Sequence, residues 1–208
     1  MKLYLSSYKL GDSGEKLKLL LENTNHQCAY ISNALDYSTD LVRRSKHEKR
    51  DMQYLTELGL QVDLLDLREY FDKQDHLEKK LSEYAMVWIS GGNVFVLRQA
   101  MKLSGFDEII LKFNKEKSEF VYAGYSAAVC VLSPNFKGME IVDPEDIGPY
   151  YSKIGTIWQG LSIIDFNPVV HYQSDHPESE DANKELQFYI DNKIKYKTLR
   201  DGDMIIIV

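Results

Sequence analysis

The chain has only two cysteines, Cys28 and Cys130, in 208 residues. So few exclude a disulfide framework, and with no other Cys near either, cysteine-type zinc spacing is absent. Both lie in apolar stretches and read as buried small hydrophobes in a reducing, cytoplasmic compartment. No apolar run approaches the roughly 18 residues of a membrane span. The opening Met1-Lys2-Leu3-Tyr4-Leu5-Ser6 turns polar too soon for a secretory leader. Positive charge is scarce as well: 25 Lys and Arg stand against 32 Asp and Glu, a net charge of −7. Nucleic acid as main partner needs a concentrated basic surface, and the balance argues against it. One basic run exists, Arg43, Arg44, Lys46, Lys49 and Arg50. It sits among Glu48 and Asp51 on a predicted helix and reads as a solvated face. There is no internal repeat, low-complexity stretch or linker, so a single domain over 1–208 is expected.

Hydrophobic residues make up 44% and charged residues 27%, an ordinary globular balance. The apolar pattern alternates short runs with helical stretches. Strands are predicted at Lys2–Ser6, Gln27–Ile31, Gln61–Leu65, Ala85–Ile89 and Glu119–Gly124. Helices are predicted at Glu15–Glu22, Thr39–Leu58 (closed by Gly59), Asp75–Glu83, Asn93–Met101 and Asp107–Glu116. That alternation implies an α/β fold with a mainly parallel sheet covered by helices on both faces. Beyond Leu132 the chain is punctuated by Pro and Gly. Ser162–Phe166 reads as a strand, Ser179–Asn192 as a helix, and Tyr196–Leu199 with Asp203–Val208 as a hairpin turning at Asp201-Gly202.

Sites in such sheets form beyond the carboxyl ends of the strands. Two loops qualify. Tyr122-Ala123-Gly124-Tyr125-Ser126-Ala127-Ala128 runs from a strand through a serine into small residues that open a helix, as a tight nucleophile turn requires. There the Ala127 N–H sits at a helix N-terminus, suited to an oxyanion. Ser126 reads equally well as a plain helix N-cap. Ser90-Gly91-Gly92-Asn93 follows the fourth strand, and its glycines allow close backbone approach beside Ser126, with Asn93 as N-cap. A serine nucleophile needs a base. His26, His47 and His76 lie in polar, surface-like contexts. His171 follows the apolar Asn167-Pro168-Val169-Val170 and is the better base, with His176 the runner-up. Cys130, a rival nucleophile, falls one helical turn inside, where it should be buried.

These residues resemble the dipeptidase E family. The matching motifs, in family order, are Ser90-Gly91-Gly92-Asn93, Gly124-Tyr125-Ser126-Ala127, Ile141-Val142-Asp143-Pro144, and Asn167-Pro168 running to His171-Tyr172. The family comprises alpha-aspartyl dipeptidase-like serine peptidases related to cyanophycinases. The resemblance implies a class I glutamine amidotransferase-like, flavodoxin-like architecture and a peptidase acting on small peptides near their N-terminus. It implies Ser126 as nucleophile, His171 as base, and N–H groups of Gly91, Gly92 and Ala127 as oxyanion hole. The acid behind the histidine falls to Glu140, with Asp143, Asp165 and Asp175 as alternatives. No metal or organic cofactor is implied, no membrane or nucleic-acid partner, and the expected state is monomer or homodimer.

Two departures, Ala128 at the elbow's last glycine and the inserted Val169-Val170, keep a second reading open: an inactive member binding a ligand or partner in the same cleft. A pocket for an acidic N-terminal residue needs a cation. After His171 come Asp175, Glu178, Glu180, Asp181 and Glu185, and Arg98 is the only nearby arginine in sequence. Neutral or basic N-terminal residues are therefore expected to be accepted at least as well.

Overall fold

The computed structural model describes residues 1–208. A six-stranded sheet runs in the order β3-β2-β4-β5-β1-β8. Its strands are β1 (Lys2–Ser6), β2 (Gln27–Ile31), β3 (Gln61–Leu64), β4 (Met86–Ile89), β5 (Val121–Tyr125) and β8 (Met204–Ile207). The first five are mutually parallel and β8 runs antiparallel to β1. The nearly continuous apolar runs of β4 and β5 are buried throughout and lie in the middle, as strands covered on both faces should.

Alternation along each strand divides the core in two. Leu3, Leu5, Ala29, Ile31, Val87, Ile89 and Tyr122 face the larger apolar cluster. It is closed by α3 (Gln74–Leu81), α4 (Val94–Ser104), α5 (Phe106–Lys115) and α6 (Ala127–Cys130). Tyr4, Cys28, Tyr30, Met86, Trp88, Val121 and Ala123 face the other side, against α1 (Gly14–Leu20) and α2 (Leu41–Glu57). Asp40 caps α2 by accepting the Arg43 N–H at 2.9 Å, and Gly59, at φ 93°, takes the left-handed turn that ends it.

The loop-rich remainder holds α7 (Tyr151–Ile154), β6 (Asn167–Val169), α8 (Ser179–Asp191) and β7 (Tyr196–Thr198). Two expectations fail here. Ser162–Phe166 is not a strand. Its apolar residues dock just past α6 through irregular backbone bonds, Ile163 and Ile164 N–H to Leu132, with the preceding Leu161 N–H to Val131. Burial without a ladder produced the strand-like pattern. The strand is the next segment, β6, which tolerates Pro168 because it pairs on one side only, with β7. Nor do the last two segments form a hairpin. β7 runs parallel to β6, while β8 joins the main sheet beside β1. Asp201-Gly202 is still a turn, with Gly202 at φ 105°, but it carries the chain from one sheet to the other.

Candidate active site

The register of β4 on β5 pairs Ile89 with Gly124. The two segments that leave those strands, Ser90–Gly92 and Tyr125–Ala127, therefore emerge side by side. Ser126 holds the tip of the β5–α6 turn at φ 52° and ψ −112°, a conformation costing about 1–3 kcal/mol for a non-glycine residue. Its hydroxyl makes no capping bond to α6, so the N-cap role open at the sequence level is not taken. Neighbouring glycines are dictated by space. A Cβ on Gly91 would sit 2.8 Å from the Tyr125 ring and 3.1 Å from Ser126 Cβ. A Cβ on Gly124 would sit 2.6 Å from Ala128 Cβ, so the Ala128 methyl occupies room that Gly124 leaves.

The N–H groups of Gly91 and Gly92 bond to no acceptor in the protein, and Ala127, first in α6, is an orphan donor by position. Asn93 caps α4 as expected, accepting the Val96 N–H at 3.0 Å.

His171 lies beyond β6, also at positive φ (57°). Its Nδ1 is 2.7 Å from Asp201 Oδ1. A carboxylate only accepts, so Nδ1 carries a proton, and in the neutral ring Nε2 has the lone pair. Buried Ser7, just after β1, locks the pair: its Oγ accepts the His171 N–H at 2.9 Å and lies 3.0 Å from Asp201 Oδ1. The Asp201 N–H in turn donates to Ser174 Oγ. His176 stacks on His171 with ring centroids 3.7 Å apart and planes 7° from parallel. Burial, and then the neighbouring His171, hold the His176 imidazole below its ordinary pKa. The ring of Tyr8 meets both imidazoles edge-on.

The acid on the histidine is thus Asp201 and not Glu140. Glu140 spends its Oε2 on the Gly138 N–H. Asp143 caps α4 by accepting the Val94 N–H at 2.8 Å, and burial pushes its carboxyl up to about 7. Asp165 pairs with Lys195 on the surface, and Asp175 is exposed. Cys130 is buried, and desolvation raises its thiol well above the usual range, so it is a poor nucleophile.

Ser126, His171, Gly91 and Gly92 line one cleft of about 540 Å³. Its other lining corrects a second expectation. Arg43, Arg44, Lys46, His47 and Arg50, from α2, line the same cleft, so this basic run faces the site and only Lys49 stands apart. Helical charge pattern alone does not show what a face looks at. Arg44 is committed to Asp36 and Glu48, and Arg50 to Asp51. Arg43 and Lys46 have no acidic partner and are exposed to the cleft.

His47 is not merely solvated. It meets the Tyr125 hydroxyl, which donates to Asp51 at 2.6 Å. Burial alone would raise the Asp51 carboxyl, but hydrogen bonds from His47, Tyr125 and Arg50 outweigh it and hold it below the usual range. This network ties α2 to the residue before Ser126. Arg98 is elsewhere, buried on Asp107 at 2.9 Å.

The model of peptidase family S51 matches residues 6–208. An uncharacterized peptidase of Listeria innocua is 30% identical over 120 residues, 58% of this chain and 54% of that protein. One of Pasteurella multocida is 28% identical over 131 residues, 63% and 59% of the two chains. The chain thus spans little more than half the length of the curated relatives it matches. A crystal structure from Listeria monocytogenes, of a protein named provisionally as a peptidase E, superposes with a TM-score of 0.74 at 23% identity, covering 99% of this chain and 93% of that one. It shows the shared fold. No helix is long and apolar enough to cross a membrane.

Proposed function

The chain belongs to peptidase family S51, and from that premise we propose that it is a serine peptidase hydrolysing small peptides near the N-terminus in the cleft between α2 and the β5–α6 turn. The observation that carries this reading is the His171–Asp201 bond, which leaves Nε2 without a hydrogen-bond partner beside the cleft that also holds the uncapped Ser126 hydroxyl. His171 Nε2 takes the proton of Ser126 as Oγ attacks the peptide carbonyl. It then returns that proton to the leaving amine, and water resolves the acyl-enzyme by the same path in reverse. The oxyanion meets N–H groups of Gly91, Gly92 and Ala127, which are fixed before reaction and cost no reorganisation. Asp201 holds the tautomer and offsets the imidazolium charge. The elbow's departure at Ala128 is accommodated by Gly124 and leaves the tip intact.

Arg43 and Lys46 change the expected substrate. Two cations without acidic partners favour a peptide carrying a carboxylate. The positive charge of the cleft thus comes from α2 and not from the acidic segment after His171. The test is hydrolysis of Asp-Leu, Ala-Leu and Lys-Leu by one preparation of the full chain and by Ser126→Ala. Cleavage by the wild type, best for Asp-Leu and absent in Ser126→Ala, supports the reading. Equal rates in both proteins would end it, and no cleavage with retained peptide binding would favour an inactive, ligand-binding member.

A further inference from the structure

His171, His176 and Glu178 bring three ligand atoms within 4.8 Å of one another. Glu178 Oε2 is 3.8 Å from His171 Nε2 and 3.9 Å from His176 Nδ1. We propose that these three side chains form an inhibitory site for a divalent ion of the zinc class, which shuts the cleft by occupying the lone pair of His171 Nε2.

Two imidazoles and a carboxylate, with water completing the shell, are a donor set that borderline ions prefer and that magnesium and calcium do not. Ligand atoms around a tetrahedral zinc ion sit roughly 3.3–3.5 Å apart, given bonds of about 2.0–2.2 Å. The observed separations from Glu178 exceed that by about half an ångström. His171 is already prepared as a ligand. Its Nδ1–H is held by Asp201, the carboxylate–histidine–metal relay that fixes tautomer and raises ligand basicity.

The other two ligands can move. His176 and Glu178 lie in the turn before α8, with side chains 17% and 44% exposed. The only bond on the His176 ring is a long one, 3.3 Å, from the Glu178 N–H. That freedom is required, because parallel stacked rings aim their in-plane lone pairs alongside each other. To share one ion, His176 must turn out of the stack, while His171 stays anchored at Nδ1 and at its backbone N–H. Arg43, Lys46 and Arg50 line the same cleft and oppose a dication, whereas Glu178 and Asp201 favour it. Both imidazoles bind as the neutral ring, so the ion exchanges bound water for protein ligands and any proton on the ligating nitrogens goes to solvent.

Binding does not depend on the peptidase reading; inhibition does. The experiment therefore has two arms. In the first, zinc chloride is titrated calorimetrically into the chelator-treated full chain near neutral pH. One ion per chain is expected, with a Kd on the order of 1–10 μM. Ser126→Ala should bind alike, while His176→Ala and Glu178→Gln should each weaken binding about tenfold or more. Thermal melts without metal verify that the variants fold, and Glu178→Gln, a change at a half-exposed side chain, decides if His176→Ala does not. No saturable binding, or equal affinity in the variants, overturns the proposal whether or not the protein hydrolyses peptides. In the second arm, zinc should abolish dipeptide hydrolysis reversibly on adding EDTA. Binding without inhibition overturns the inhibitory role and leaves the metal site; binding by a chain that cleaves nothing overturns the inhibitory role together with the peptidase reading.

Discussion

His171 and Asp201 are 30 residues apart in the chain and share a 2.7 Å bond between Nδ1 and Oδ1. Nothing local joins them. Asp201 arrives from the turn between β7 and β8, and His171 from the end of β6. Ser7, from the end of β1, closes the triangle. The site is assembled where three strands of two sheets finish together.

If Asp201 holds the base, Asp201→Asn should lower kcat by roughly 10²–10⁴-fold by admitting the wrong tautomer. KM should change little, because no substrate contact is lost. Glu140→Gln should leave kcat unaltered. Steady-state kinetics on one dipeptide checks both, and a dead Glu140→Gln beside an active Asp201→Asn would return the role to Glu140.

The cations of α2 make a second expectation. Replacing both Arg43 and Lys46 with glutamine should cut kcat/KM for Asp-Leu about tenfold, or about 1.4 kcal/mol. Ala-Leu should be affected little. An equal loss on both substrates would show that the pair does not read the aspartyl side chain, acting instead on the C-terminal carboxylate that both share or on the cleft's shape.

A third expectation concerns stability. Glu185 on α8 is buried, and desolvation, with Asp143, Glu140 and Glu178 nearby, pushes its carboxyl up to about 8 from an ordinary 4.5. A folded-state value above the unfolded one means the unfolded chain releases its proton first. The group's contribution is whole below about 4.5 and is lost as pH rises toward 8. Glu185→Gln should therefore gain on the wild type by up to a few kcal/mol between pH 5 and 8. Urea midpoints at those two pH values measure it, and parallel pH dependence in the two proteins would contradict it.

The elbow and the glycine loop were legible in the sequence because their requirements are local. Small residues beside Ser126 and the Gly91-Gly92 pair answer to backbone space within a few residues, and the parallel register then places the loops side by side. Asp201 was not legible, because an Asp-Gly pair is first of all a turn. The turn is real, and only tertiary placement gives its carboxylate a partner. The basic run of α2 is ambiguous for a similar reason: charge along a helix looks the same whether the face meets solvent or a cleft. Ser162–Phe166 shows the converse error, an apolar run whose burial comes from docking on α6 and not from a ladder. Ser7 left no signal at all, since a serine after a strand is commonplace.

The proposed role of Ser126 as nucleophile, activated by His171, is open to a direct chemical test. A fluorophosphonate reports it directly, because an activated serine is phosphonylated far faster than an ordinary hydroxyl. The measurement is the intact mass of the treated protein, with the adduct located by peptide mapping. One adduct per chain on Ser126, absent in Ser126→Ala and formed far more slowly in His171→Ala, is the predicted result. An adduct on another residue, or undiminished dipeptide hydrolysis by Ser126→Ala, would contradict the account.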